Sequence, residues 1–382
     1  MKICAVICEY NPFHNGHLWQ LKQIKESFNA DAVLCVMSGN FVQRGEAAIL
    51  EKHVRAKHAV QAGADVVIEL PTVFATSNAE LFAKGAIHLL SSIPDVKTLC
   101  FGAENANALT FVSAARILNN EPESVSKKLR ALLGEGMSYA KARAQAFADF
   151  IPTDFLVSPN NILGLEYTRA ILERNADINV APLQRQGGSY NDKTLHPEFS
   201  SATAIRETLK SNESVYDSVP GFVLDDLHLA NLSQSALETV EKFALLSLPT
   251  EEIKQTLDCS EGLENALKRI AESGENFDAL VSARYTSSRI RRIALQNALG
   301  IREKEIRAFL QSPLYLRVLA ANKNRSDVLS ALSESPFPLL IRAHDENGLS
   351  QTARACLEKD VLAERVYTLI SNNTKTTTDI FY

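Results

Sequence analysis

Five short, nearly continuous apolar runs punctuate the first half of the chain: 2–8 (KICAVIC), 32–37 (AVLCVM), 65–70 (DVVIEL), 97–101 (KTLCF) and 178–183 (INVAPL). Runs this short, rich in Val, Ile, Cys and Leu, predict strands buried on both faces. Between them, apolar positions spaced three and four apart predict helices over about 15–28, 49–63, 77–92 and 107–119. Strand–helix–strand alternation at this spacing requires parallel crossovers. The predicted fold is therefore α/β, a Rossmann-like parallel sheet with helices on both faces. Such sheets bind ligands beyond the carboxyl ends of their strands, near the point where strand order reverses.

A helical insertion is expected over about 123–149, before Pro159-Asn160-Asn161-Ile162-Leu163-Gly164 opens another helix. Beyond residue 212 the strand signal fades. Stretches 234–247, 250–273, 277–299, 302–311 and 326–334 predict helices, broken at Pro249, Gly274, Gly300 and Pro313. The expected division is a Rossmann-like domain over 1–212 and a mostly helical domain over 213–382, with a few short strands after 335, PLLIR among them. The Thr-rich polar tail 372–378 is expected to fray. A chain of 382 residues suits two domains.

Composition narrows the class without choosing a function. Hydrophobic residues make up 46% and charged residues 22%, as in ordinary globular proteins. The opening apolar run is interrupted at Glu9, too early for a signal peptide, and no later run approaches the roughly 18 apolar residues of a membrane span. The six cysteines lack any CxxC spacing, so reduced structural thiols and a cytoplasmic location are expected, with no membrane contact. A net charge of −5 gives no whole-chain reason to expect nucleic acid.

The sharpest local signal follows the first strand: Glu9-Tyr10-Asn11-Pro12-Phe13-His14-Asn15-Gly16-His17. Pro12 cannot continue a ladder, so the chain turns there. Asn15 is expected to cap the helix beginning near Gly16. His14 and His17, three apart at a helix start, can address one ligand. Unpaired first-turn amides and the positive end of the helix dipole make an anion site, and Gly16 lets a phosphate approach the backbone. Two imidazoles beside those amides can stabilise charge as an α-phosphorus is attacked. An isolated H-x-G-H is more often an ordinary cap; the strand before it and the helix after it favour a nucleotide. Zinc is disfavoured because no third ligand lies nearby, and no metal ligand is assigned.

The H-x-G-H after strand one resembles the signature of the HIGH superfamily of nucleotidyltransferases and class I aminoacyl-tRNA synthetases. The longer strings EYNPFHNGH, Val36-Met37-Ser38-Gly39-Asn40-Phe41-Val42-Gln43-Arg44-Gly45-Glu46 and PNNILG are similar to the bacterial tRNA(Met) cytidine acetate ligase family. Ser200-Ser201-Ala202-Thr203-Ala204-Ile205-Arg206 resembles the superfamily's late phosphate-binding helix opening, and it is not a KMSKS motif. The resemblance implies His14 and His17 as catalytic residues. It also implies ATP contacts at Tyr10, Asn11, Pro12, Gly16, Gly102, Asn160, Arg185, Gln186, Ser201, Thr203 and Arg206, the pair Arg185-Gln186 leading into a Gly187-Gly188 loop. The implied reaction adenylates acetate with ATP, Mg²⁺ as its counterion, then acetylates the wobble cytidine of elongator tRNA(Met). Asp65 and Glu69 flank a strand and could hold magnesium through water, a weaker reading.

From Arg284 to Arg325 ten Lys/Arg stand against two acids, with Tyr285 and Tyr315 interleaved as possible stacking platforms. With the resemblance, Arg284, Arg289, Arg291 and Arg292 are expected to contact RNA; charge runs are otherwise usually solvated helix faces. The main alternative is a small-molecule nucleotidyltransferase acting on a phosphorylated metabolite, which the first 210 residues would serve equally well. An ATP-sensing RNA-binding module without turnover is a third reading. The residues point to no protein partner.

Overall fold

Each apolar run becomes a strand, and the sheet they form gains members from far along the chain. In the computed structural model, which describes residues 1–137, 139–186, 194–196, 199–231, 233–282, 284–371 and 381–382, nine strands are assigned among these residues. They are β1 (Ile3–Cys8), β2 (Ala32–Ser38), β3 (Phe41–Val42), β4 (Glu46–Ala47), β5 (Val66–Leu70), β6 (Val96–Ala103), β7 (Asn179–Gln184), β8 (Leu316–Ala321) and β9 (Leu339–Leu340). The main sheet runs β7-β6-β1-β2-β5-β8-β9, and β3 pairs with β4 in a separate short hairpin. From β7 to β5 every pair is parallel, with Val6 opposite both Cys35 and Cys100. The chain steps from β1 outward through β2 to β5, then returns to place β6 on the other side of β1. That reversal opens a crevice between the carboxyl ends of β1 and β6.

Helices cover both faces, as the α/β reading requires. One face packs against helices Ala79–Leu90, Ala108–Asn119, Pro159–Glu173 and Gln351–Ile370. The other carries Asn15–Ser27, Lys52–Gln61 and Ala202–Lys210, with Leu21, Ile24, Ala56, Ala59 and Ile205 in a second apolar cluster. The insertion forms helices Glu123–Gly134 and Tyr139–Phe147. Helices Ser235–Ser247, Leu263–Ser273 and Ser287–Ala298 gather a further cluster of their own, including Leu245, Leu267, Ile270, Ile290 and Ile293.

Several C-terminal expectations are corrected. Strand β8 joins the sheet antiparallel to β5, and β9 extends it, so the sheet spans the expected division at 212. Its one charged side chain, Arg317, is neutralised by Glu69 at 3.2 Å and Glu364 at 2.8 Å. The 20-residue helix Gln351–Ile370 also went unpredicted. Its buried stripe includes Asp360, which accepts the Thr72 amide at 2.6 Å and the Tyr315 hydroxyl at 2.5 Å. The continuous helices expected over 250–273 and 277–299 are each divided. Asp258, Glu261 and Gly262 adopt positive φ (63°, 62° and 82°), which ends helical winding. Thr286 then caps a fresh start at Ser287. The tail 372–378 lies outside the described residues.

All six cysteines are free and buried. Among the described residues no helix is long and apolar enough to cross a membrane.

Candidate active site

The motif after β1 folds into an interlocked helix start. The N-cap is His14 rather than Asn15: the Gly16 amide donates to His14 Nδ1 at 3.1 Å, and the His14 amide donates to His17 Nδ1 at 3.2 Å. Asn15 instead donates its side-chain amide to the Asp217 carbonyl at 2.8 Å. The two rings stack with centroids 3.6 Å apart. Burial pushes the His14 pKa down to about 3, and the cations Arg185 and Arg206 add to the effect. His17 is driven in the same direction by burial, by His14 and by Arg185. Both rings are therefore neutral near pH 7. Since each Nδ1 accepts a hydrogen bond, each proton resides on Nε2, leaving one N–H donor per ring for a ligand.

A second helix start converges on the first. Ser201 caps Ala202–Lys210 by accepting the Ala204 amide at 3.0 Å, and Ser200 is engaged instead with Ser218 at 2.9 Å. Arg206 donates to the Asn11 carbonyl at 2.7 Å and to the Thr203 hydroxyl at 3.5 Å, which ties the late helix to the β1 turn. Tyr10, Asn11, His14, His17, Gly102, Asn160, Arg185, Ser201, Thr203 and Arg206 all line one cleft at the carboxyl ends of β1 and β6. Two cations, two neutral N–H donors and two helix N-termini thus face a common space, which suits a polyanion.

The remaining predicted residues sit around this cleft in different ways. Gly16 and Gln186 line a smaller side pocket with Trp19, Leu183, Phe199 and Arg185. A Cβ on Gly16 would lie 3.0 Å from the His14 ring, so this glycine first serves to seat the imidazole. Gly102 is under no such demand: a Cβ there would meet only Arg185 Cγ, at 3.5 Å. Pro12 is buried in the turn, away from the cleft lining, and its bond to Asn11 is cis. Asn160 donates its side-chain amide to Glu104 at 2.7 Å, while Glu104 also accepts the Asn161 amide at 2.9 Å, clamping the helix to the end of β6. The Gly187-Gly188 loop lies outside the described residues.

Sequence reasoning missed other members of the site. Arg55, 0% exposed, donates to the carbonyls of Leu50 at 2.9 Å, Glu9 at 2.5 Å, Ser38 at 3.2 Å and Gly39, stitching together the ends of β1 and β2. Glu9, Gln20, Gln43, Arg44 and Glu46 also line the cleft. Glu9 accepts the Gln43 amide at 2.7 Å, and burial raises its pKa against the opposing pull of that bond and of Arg206, Arg44 and Arg55. Glu9 stood inside the quoted motif; Arg55 gave no signal, because its partners are carbonyls brought together only by the sheet.

The basic run is largely engaged within the molecule. Arg289 pairs with Glu261, Arg291 with Glu46 and Asp278, and Arg292 with Asp258. Arg284 is exposed. Tyr315 is 0% exposed and cannot stack on a base, and Tyr285 lies under the Arg289 guanidinium, 5.5 Å from ring centroid to cation. Gly45 packs on the same helix so closely that a Cβ would come within 2.4 Å of the Arg292 amide nitrogen. A groove lined by Gln43, Arg44, Glu46, Ala79, Pro159, Ile162, Leu163, Ser287 and Ser288 adjoins the cleft and shares four of its walls. Asp65 and Glu69 are not poised for magnesium: Asp65 meets Arg325 at 2.8 Å, and Glu69 meets Lys52 at 2.7 Å and Arg317. Among the described residues no three His, Cys, Asp or Glu side chains gather as a metal would require.

A parallel sheet with H-x-G-H at its first helix start and a second phosphate-type helix start beside it defines a nucleotidyltransferase of the HIGH class. The HIGH Nucleotidyl Transferase family model matches residues 1–379. A tRNA(Met) cytidine acetate ligase of Clostridium botulinum (strain Hall) is 34% identical over 405 residues, spanning 100% of this chain and 97% of that one. Thermotoga maritima TmcAL, solved without ligand, superposes with a TM-score of 0.90 at 29% identity, covering 98% of this chain and 96% of that one. The same protein solved with alpha-thio ATP bound gives a TM-score of 0.87 at 29% identity, covering 100% and 97%. The chain belongs to the HIGH nucleotidyltransferases and, within them, to the tRNA(Met) cytidine acetate ligase family.

Proposed function

We propose that this protein activates acetate with ATP as acetyl-adenylate and transfers the acetyl group to the wobble cytidine of elongator tRNA(Met), in the cytoplasm. The observation that carries this reading is the neutral imidazole pair set between two helix N-termini and two arginines at the β1–β6 crevice. Likeness along the whole chain, its C-terminal half included, favours the ligase over a small-molecule nucleotidyltransferase.

A carboxylate is a poor acyl donor until its oxygen can leave. In the first step an acetate oxygen attacks the α-phosphorus of ATP, and pyrophosphate departs. His14 and His17 donate Nε2–H bonds to the phosphate oxygens as charge accumulates, and they need no proton exchange to do so. Ser201, Thr203 and Arg206 hold the departing phosphates; Arg185, Gln186 and Gly102 position the base, and Asn160 meets the ribose. Mg²⁺ enters with ATP as its counterion, and no side chain is assigned to it. In the second step the N4 amine of cytidine attacks the acyl carbon and AMP leaves. Glu9, a cleft carboxylate with raised proton affinity, accepts the amine proton. The groove beside Ser287 and Ser288 gives the nucleoside its approach, and RNA contact is assigned to Arg284 and to Arg289, Arg291 and Arg292 of the helix Ser287–Ala298.

The test is mass spectrometry of nucleosides from elongator tRNA(Met) incubated with the protein, ATP and labelled acetate. The expected product is labelled N4-acetylcytidine; transfer of AMP to a phosphorylated metabolite with no labelled nucleoside would favour the alternative.

A further inference from the structure

The cleft has two chemically opposed ends. One carries the imidazoles, hydroxyls and arginines. The other lies over the opposite face of the sheet and is apolar, formed by Ile7 of β1, Phe101 of β6, Phe82 of the helix Ala79–Leu90, and Leu163 and Tyr167 of the helix Pro159–Glu173. Ile7, Phe82, Phe101 and Tyr167 are at most 8% exposed, so this end is a packed floor, not a mobile surface. The Phe101 and Tyr167 rings meet edge-on with centroids 5.8 Å apart. A Cβ on Gly164 would fall 2.3 Å from Phe101, so the helix approaches that ring as nearly as a backbone can.

The nucleotide has accommodation elsewhere. Its phosphates suit the polar end, and the side pocket walled by Trp19, Leu183 and Phe199, entered past Gly102 and Arg185, offers flat aromatic and aliphatic surfaces for a base. What is left uncovered is an apolar recess beside the phosphate end, where the hydrocarbon part of the acid must lie while its carboxylate faces the α-phosphorus. Resting on the ligase reading above, we infer that Ile7, Phe82, Phe101, Leu163 and Tyr167 form the acyl pocket and that Leu163 restricts it to short, unbranched aliphatic acids. Leu163 is half-buried and stands on the wall shared with the groove of Ala79, Pro159 and Ile162. Truncating it merges the two spaces and lengthens the recess; enlarging it fills the recess. The same wall leaves the acyl carbon accessible from the groove, the side from which an amine would come.

The experiment measures acid-dependent ATP–pyrophosphate exchange with acetate, propionate and butyrate, using the wild type, Leu163→Ala and Leu163→Phe. Each methylene that fails to fit is worth roughly 10-fold or more in kcat/KM. The wild type is expected to prefer acetate over butyrate by about 10² or more. Leu163→Ala should shrink that ratio about 10-fold, and Leu163→Phe should lower kcat/KM for acetate about 10-fold while leaving the KM for ATP unchanged. Opposite steric changes acting in opposite directions separate a pocket effect from a folding defect. An acid ratio unmoved in both variants would overturn the inference, as would a rise in the KM for ATP instead, which would put the base on this floor. Absence of any acid-dependent exchange in the wild type would sink the ligase reading, and the acyl pocket with it.

Discussion

The crevice at β1–β6 and the basic stretch 284–325 both advertise function in the sequence, yet the fold treats their polar groups in opposite ways. At the crevice the two imidazoles, the capped helix starts, Arg185 and Arg206 all line one cleft, Arg206 while also donating to the Asn11 carbonyl. Along 284–325, seven of the ten cations (Arg289, Arg291, Arg292, Arg302, Arg307, Arg317 and Arg325) meet carboxylates within the chain. A count of charges along a sequence therefore overstates the field they present to a partner. Convergence of donors on one space marks a site; a run of one sign does not. The basic stretch still reaches the cleft, through Arg291 on Glu46 and the helix pressed against Gly45.

The comparison can be broken most severely at its scaffold. Arg55→Met removes one buried cation and strands the carbonyls it serves; urea denaturation should show a loss of about 3–5 kcal/mol. Next in size, His14→Ala or His17→Ala removes a phosphate donor and should slow acetate-dependent ATP–pyrophosphate exchange about 10²–10³-fold, with tRNA affinity kept in a filter-binding assay. Glu9→Gln should separate the two half-reactions: acetyl transfer falls about 10²-fold while exchange moves far less, read by single-turnover assay of preformed adenylate. The smallest effect is expected in the basic stretch. Arg291→Ala breaks a partly exposed pair with Glu46, so stability should change by less than about 1 kcal/mol. Its consequence should appear in the KM for tRNA, leaving that for ATP unaltered; the reverse pattern would make Arg291 a purely structural partner of the β3–β4 hairpin.

These outcomes bear on what the residues alone disclose. Strands β1, β2 and β5 were legible because burial on both faces forces continuous apolar runs, whereas β6 is buried only in part and the edge strand β7 buries Ala181 alone. The H-x-G-H was legible because its chemistry is local: directly after the strand, the turn, the cap and the ligand donors fall within the nine residues Glu9 to His17. Arg55, β8 and the helix Gln351–Ile370 were not, because each owes its place to partners far away in sequence. Arg317 belongs in a strand only beside Glu69 and Glu364, and Asp360 in a buried stripe only beneath Tyr315 and Thr72. The N-cap was misread for a related reason. Asn is a strong generic cap, but the reciprocal bonds of His14 and His17 displace it. Arginine pairing escaped as well, since the carboxylate partners lie far off in sequence, Glu46 being 245 residues from Arg291.

The account depends most on the state of the two imidazoles. Their pKa values lie below the usual 6.5, so protonation destabilises the folded form, and their contribution to stability is present above pH 6.5 and lost as pH falls. ¹⁵N NMR of histidine-labelled protein, assigned with His14→Asn and His17→Asn, reads the rings directly. Both should remain neutral with the proton on Nε2 from pH 8 to about 5, and both Nε2–H signals should shift on adding ATP. Imidazolium signals near pH 6, a proton on Nδ1, or rings indifferent to ATP would contradict it.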